Sequence, residues 1–308
     1  MFLRFLALPV FMSATTWACL NTPGTDLDGH NAGSFYGHEA RRLRGLVEMP
    51  SPMEARPRAS EPSATPAKRL EAEALDLIYS GNYAAALPRL QKAEATAPGD
   101  YSIAANLGTN HELVGDNAEA LHWITEAMRR NPDSHHGTEW VHVLVLKAKL
   151  RDAAAPATGT RPALLEVPAR LVATTPLLID GVTRPAEQVR EAIFYQLNER
   201  VVFVKPKDPY VADLLFALAR LNANLVNIES SSGVLDLAET YGYSDRAHIE
   251  GLRSDISRAL WKSNLYTFAY WALGLGALVG GLIFAYRRKW FFLSRAAYVA
   301  HRARQVSQ

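Results

Sequence analysis

The chain repeats itself at an offset of 34 residues, and this restricts its fold more than any other feature. Slide the segment Gly108 to Pro132 back by that amount. Gly108 falls on Ala74, Gly115 on Gly81, Ala120 on Ala86, Leu121 on Leu87, Ala127 on Ala93 and Pro132 on Pro98. Each match has a physical reason. A side chain at Gly108 would hold a second helix away. Gly81-Asn82 and Gly115-Asp116 supply turns, because glycine takes the left-handed conformation that ends a helix. Ala120 and Ala127 lie two turns apart on one face and let that face approach its neighbour. Pro98 and Pro132 stop the second helix before the next unit. The period therefore predicts paired antiparallel helices.

These are the anchor positions of the tetratricopeptide repeat, and residues 67–134 resemble that family. "SGNYAAALPRLQKAEATAPGD" and "VGDNAEALHWITEAMRRNPDS" are near-standard second halves. Ala74 replaces the usual glycine, and His111 and Asn117 stand where tyrosine is common. From His135 to Asp152, Trp140, Val141, Leu144, Val145 and Ala148 keep helical spacing. Lys149 occupies the place of the next turn glycine, so this stretch is expected to be a lone capping helix that closes a block over 67–152. Further on, Ala219, Ser231 and Ala238 reproduce the internal spacing of Gly108, Ala120 and Ala127. Ala212 to Asp245 thus resembles a worn third hairpin, with Val226 where the turn glycine belongs. The expected fold class is all-α: repeat hairpins of this type, two clear and one degenerate, ending in a transmembrane helix.

The resemblance implies a concave groove, lined by first helices, that holds a peptide or partner protein. By position it would show Glu71, Leu75, Tyr79, Ala105, Thr109, Glu112, His136, Glu139 and Val143. Asn106 resembles one member of the lysine-and-asparagine set with which some relatives clamp a C-terminal carboxylate. The rest of that set is missing, so a chaperone-tail receptor is not implied.

The two ends of the chain suggest where it resides. "MFLRFLALPVFMSATTWAC" has Arg4, an apolar run and small residues at Thr16 and Ala18, the layout of a signal peptide over 1–18. Cleavage there would expose Cys19. A bacterial lipoprotein junction is similar, but Thr16 and Trp17 depart from its pattern, and a free thiol fits better. The lone cysteine excludes an internal disulfide framework and a cysteine-cluster zinc site. Near the other end, Ser263 to Tyr286 holds 24 residues without a charge, and about 20 helical residues cross a hydrocarbon core. Tyr266, Tyr270, Trp271 and Tyr286 flank it as interfacial rings. The expected span is 265–286. The tail over 287–308 carries Arg287, Arg288, Lys289, Arg295, Arg302 and Arg304 with no acidic residue. Positive charge stays on the cytoplasmic side, which places the tail there and the body outside. Ala272, Gly276 and Gly280 form a small-residue ladder that would permit a homodimer.

Between these ends, 19–66 is expected to be an extended or disordered arm, because "MPSPMEARPRASEPSATP" is broken by prolines. Ala153 to Pro185 holds five more, so 153–184 reads as an irregular connector. Helices resume over 185–264: Pro185 suits a first helical position, and Val189, Ile193, Leu197 and Val201 share a face. Asp208-Pro209 is a cap followed by a first-turn proline.

Chemistry is sparse. No nucleophile elbow, phosphate loop or dinucleotide fingerprint occurs. With a net charge of +2 nothing attracts nucleic acid to the whole chain. The basic aromatic tail abuts a membrane and suits anionic lipid better. Asp26, Asp28 and His30 lie in a turn-rich stretch where such donors are usually solvated. His135, Glu139 and His142 are four and three apart, as helical metal ligands could be, but the zincin order is absent. The expectation is a scaffold or adaptor for envelope proteins, without cofactor or catalysis. The alternatives are a metal-dependent envelope hydrolase using that trio, and a lipid-tethered assembly or secretion accessory protein depending on Cys19.

Overall fold

The computed structural model describes residues 23–35, 37–56, 65–155, 161–288 and 295–306. The expected signal peptide, Cys19 and the proline-rich stretch 57–64 lie outside them. Among the described residues the fold is predominantly helical, with two short antiparallel hairpins.

Helix α2 (Pro66–Tyr79) pairs with α3 (Tyr83–Thr96), and α4 (Tyr101–Leu113) pairs with α5 (Asn117–Arg130). Their starts are capped. Thr65 Oγ1 accepts the Lys68 amide, Asp100 accepts Ser102, and Asp116 accepts Glu119. The turns run through Gly81 and Gly115 at φ +80° and +91°, a conformation that costs glycine little. At Gly108 the helices come so close that an added Cβ would lie 2.5 Å from Ile124 Cγ1. Ala74, Ala86, Ala93, Ala120 and Ala127 are fully buried.

Helix α6 (Trp140–Ala154) starts later than the sequence periodicity suggests, and it buries Val141, Val145 and Ala148 in the main core shared with the helices that follow. His135 and His136 sit before it in a tight turn at φ +49° and +58°. Left-handed residues cannot continue a right-handed helix, so His135 and His142 do not share one. Glu139 is the cap between them.

The second helical block consists of α7 (Ala186–Phe203), α8 (Pro209–Leu225) and α9 (Ile228–Tyr241). Val189, Ile193, Leu197 and Val201 are fully buried in the main core. Asp208 caps the Tyr210 and Val211 amides. Ala219, Ser231 and Ala238 are fully buried in the α8–α9 region. Pro185 caps α7 rather than entering it, and it closes a hairpin inside the connector. Strands β3 (Pro176–Ile179) and β4 (Val182–Pro185) meet there through Asp180-Gly181, both at positive φ.

The N-terminal arm is not wholly extended. Strands β1 (Pro23–Thr25) and β2 (Asn31–Phe35) form a hairpin, and His38–Glu48 forms helix α1. Ala40 and Leu43 of α1 enter the main core. Glu39 bonds Arg190 at 2.6 Å and Asn222 at 2.8 Å, and Lys205 donates to the Leu46 carbonyl at 2.9 Å. Apolar burial and paired charges outweigh the nearby prolines, which lie beyond the helix end.

Helix α10 (Arg246–Arg287) has 42 residues, about 63 Å at 1.5 Å per residue. Its first turns bury Ile249, Leu252, Ile256 and Ala259 against the body. Its later half is exposed and apolar, with an 18-residue window of mean hydropathy 1.8 that buries nothing. A side chain begun at Gly276 or Gly280 would meet no neighbouring element within 4 Å. Helix α11 (Arg295–Val306) follows.

Candidate functional site

Residues of α2, α4 and α6 line one side of a cleft, and α7 lines the other. Several contacts cross the gap. Arg200 on α7 reaches Glu112 on α4 at 2.6 and 3.2 Å. Gln196 donates to Thr138 at 3.1 Å. Phe203 packs on Tyr79 with ring centroids 5.1 Å apart. A cleft of about 140 Å³ remains between the two sides. Its apolar wall includes Leu75, Ile78, Leu113 and Val204, and its polar lining includes Asn106, Thr109, Glu112, His135, Glu139 and Glu199.

A buried ionic lattice forms the floor. The Glu112 side chain is 7% exposed and also accepts from His142 Nε2 and Lys149 Nζ, both at 2.7 Å. Burial alone would push its carboxyl up. The Arg200 and His142 charges overcome that, with Lys149 adding to them, and hold it well below the usual range. Burial opposes protonation of His142, but Glu112 and Glu139 raise its pKa nonetheless. Glu139 is drawn down to about 2: burial works against this, and the bond from His135 together with the neighbouring His142 outweighs it. The bond to Glu139 also raises His135. Arg200 keeps its proton firmly, because the Glu112 charge outweighs desolvation.

Of the residues expected in the groove, Leu75, Tyr79, Asn106, Thr109, Glu112 and Glu139 line this cleft. Glu71 lies beside it, saturated by Lys68 (2.8 Å), Ser102 (2.6 Å) and Asn106 (2.9 Å). Three expected residues sit elsewhere. Ala105 is buried with Ala104 and Ala127. Val143 packs toward Ala120, Ile124 and Leu146. The left-handed turn sends His136 to a separate recess, where its ring meets Tyr195 edge-on at 5.3 Å.

The residues contributed by α7 were not anticipated. Gln196, Arg200 and Phe203 are spaced i, i+4, i+7 on the edge of α7 beside its buried apolar stripe. A polar edge of that kind reads as solvated, so only the spacing could have hinted at it.

The His135, Glu139 and His142 trio is already internally paired. His142 presents Nε2 to Glu112 and Nδ1 to Glu139 at 3.5 Å, while His135 Nδ1 bonds Glu139. Among the described residues no group of three or more His, Cys, Asp or Glu is placed to hold a metal ion. Asp26 instead closes its own turn, accepting the Asp28 and His30 amides at 2.8 and 2.9 Å. No protein-family model matches the chain, and neither a curated protein nor a solved structure matches it.

Proposed function

We propose that this chain is a membrane-anchored, extracytoplasmic scaffold of the tetratricopeptide type, which binds an envelope protein or peptide at its concave face. One observation carries the reading. The side lined by α2, α4 and α6 is not sealed by α7: a cleft with an apolar wall and a few convergent polar groups stays open between them, the usual character of a binding site. The 34-residue period, the left-handed turn glycines and the close approach at Gly108 support the repeat type. The bare apolar half of α10 supports a single span, with the basic tail on the cytoplasmic side. Ala272, Gly276 and Gly280 lie on that bare half, where a second copy has access.

A photo-crosslinking residue in place of Thr109 or Glu199, in membranes of the native host, tests the reading. The expected result is one protein captured from both cleft positions and not from Glu119, which is exposed on α5. Equal capture from Glu119, or none from the cleft, would refute it. Protease treatment of oriented vesicles checks topology: the body should be cut from outside while the tail stays protected.

A further inference from the structure

The polar lining of the cleft mixes donors and carboxylates. Its strong donors are engaged within the protein: the Arg200 and Lys149 heads on Glu112, Gln196 Nε2 on Thr138, and Asn106 Nδ2 on Glu71. The Tyr79 and Thr109 hydroxyls and the His135 ring also line it and can donate, while two carboxylates, Glu139 and Glu199, keep acceptor capacity. Glu139 is 4% exposed, lines the cleft, and its Oε2 has no hydrogen-bond donor. His142 Nδ1 stands 3.5 Å from that oxygen. Its other oxygen is bonded to His135. At the rim, Glu199 is exposed and forms no ion pair among the described residues. A buried carboxylate oxygen without a donor costs free energy unless a ligand supplies one.

The shape agrees with the charge. The cleft volume of about 140 Å³ is close to that of a cavity admitting a benzene-sized guest, about 150 Å³. Tyr79 and Phe203 stand beside it, and aromatic faces attract cations.

Resting on the cleft's being a binding face, we infer that it takes a protonated aliphatic amine. The alkyl chain would lie along Leu75 and Phe203, and the ammonium would donate to Glu139 Oε2, with Glu199 at the entrance. A lysine side chain of a partner and a free small amine share this chemistry.

Calorimetric titration of the full chain in detergent micelles tests it. The probes are n-hexylammonium, hexanoate, and a blocked Gly-Gly-Lys-Gly-Gly peptide with its norleucine counterpart. Saturable binding of hexylammonium but not hexanoate is expected, weakened about tenfold or more in Glu139→Gln. Glu199→Gln changes an exposed, unpaired residue, so it keeps the fold and should still weaken binding. If the lysine peptide binds and the norleucine peptide does not, the source is a protein side chain. If only hexylammonium binds, the source is a small amine. Both support the shared chemistry. No hexylammonium binding, equal binding of hexanoate, or undiminished binding in both variants would overturn the inference. A partner crosslinked from Thr109 without amine binding would leave the scaffold reading standing and remove this one alone.

Discussion

Replacing Glu112 with glutamine would leave Arg200 buried without the carboxylate it is hydrogen-bonded to. Three cations now converge on Glu112, and they respond differently to its loss. Lys149 is 17% exposed and can turn its ammonium toward water. His142 can release its proton. Arg200 can do neither, because its side chain is 7% exposed and a guanidinium does not deprotonate in proteins. Breaking a buried ion pair from one side costs about 3–5 kcal/mol. At 2–4 °C per kcal/mol for a folded body of this size, the melting point should drop by about 6–20 °C. Circular dichroism melts of the full chain in detergent would measure the change. Glu112→Gln combined with Arg200→Met removes both charges and should recover most of the loss, since well-packed apolar replacements of buried pairs are often neutral. A drop below about 1 kcal/mol for the single variant, or a double variant no better than the single, would refute the account of Arg200 as the constrained partner.

Three further outcomes follow from the geometry. Gly108→Val should cost about 1–3 kcal/mol by forcing α4 off Ile124, whereas Gly276→Val, with open space around it, should leave the thermal melt of the body unchanged. Stability should be greatest over an intermediate pH range. Glu139 falls to about 2 on folding, so its contribution is present above its ordinary 4.5 and is lost as pH drops toward 2. His142 is raised, so its contribution is complete below its ordinary 6.5 and is lost as pH climbs through the raised value. Urea midpoints across pH should show both limbs, and Glu139→Gln should flatten the acid one. Leu275→Arg puts a charge in the bare half of α10 at a cost of about 2.5–3.5 kcal/mol for a helix crossing a bilayer; the chain should then become extractable by alkaline carbonate, with its helical signal kept.

The helical hairpins were legible because their signals are local. Turn glycines, caps and small residues at helix crossings act within one unit and repeat 34 residues on. Helix α1 was readable in principle: Ala40, Leu43, Leu46 and Val47 keep helical spacing, but proline density next to them dominated the reading of the arm. The site was legible only on one wall. The groove positions on α2 and α4 follow from repeat register, and most of them do line the cleft. The opposite wall is tertiary. Nothing near Gln196 or Arg200 in the chain indicates that α7 would turn its polar edge toward Glu112, 88 residues away. His136 was misplaced for a different reason: two consecutive left-handed histidines end the helical register at a point where residue preference alone gives no warning.

Helix α10 runs without interruption from its buried turns at Ile249 and Ile256 into its bare apolar half. The β1–β2 hairpin braces that transition: Gly29 packs so closely on Ala259 and Lys262 that no side chain fits, and His30 stacks on Tyr266 at 5.2 Å. A flexible tether would let the body tumble above a bilayer. A continuous shaft with a collar instead joins the body rigidly to the apolar half of α10. On the proposed reading, in which the later half of α10 spans a bilayer, any twist or tilt of the span would be delivered to the body as rotation.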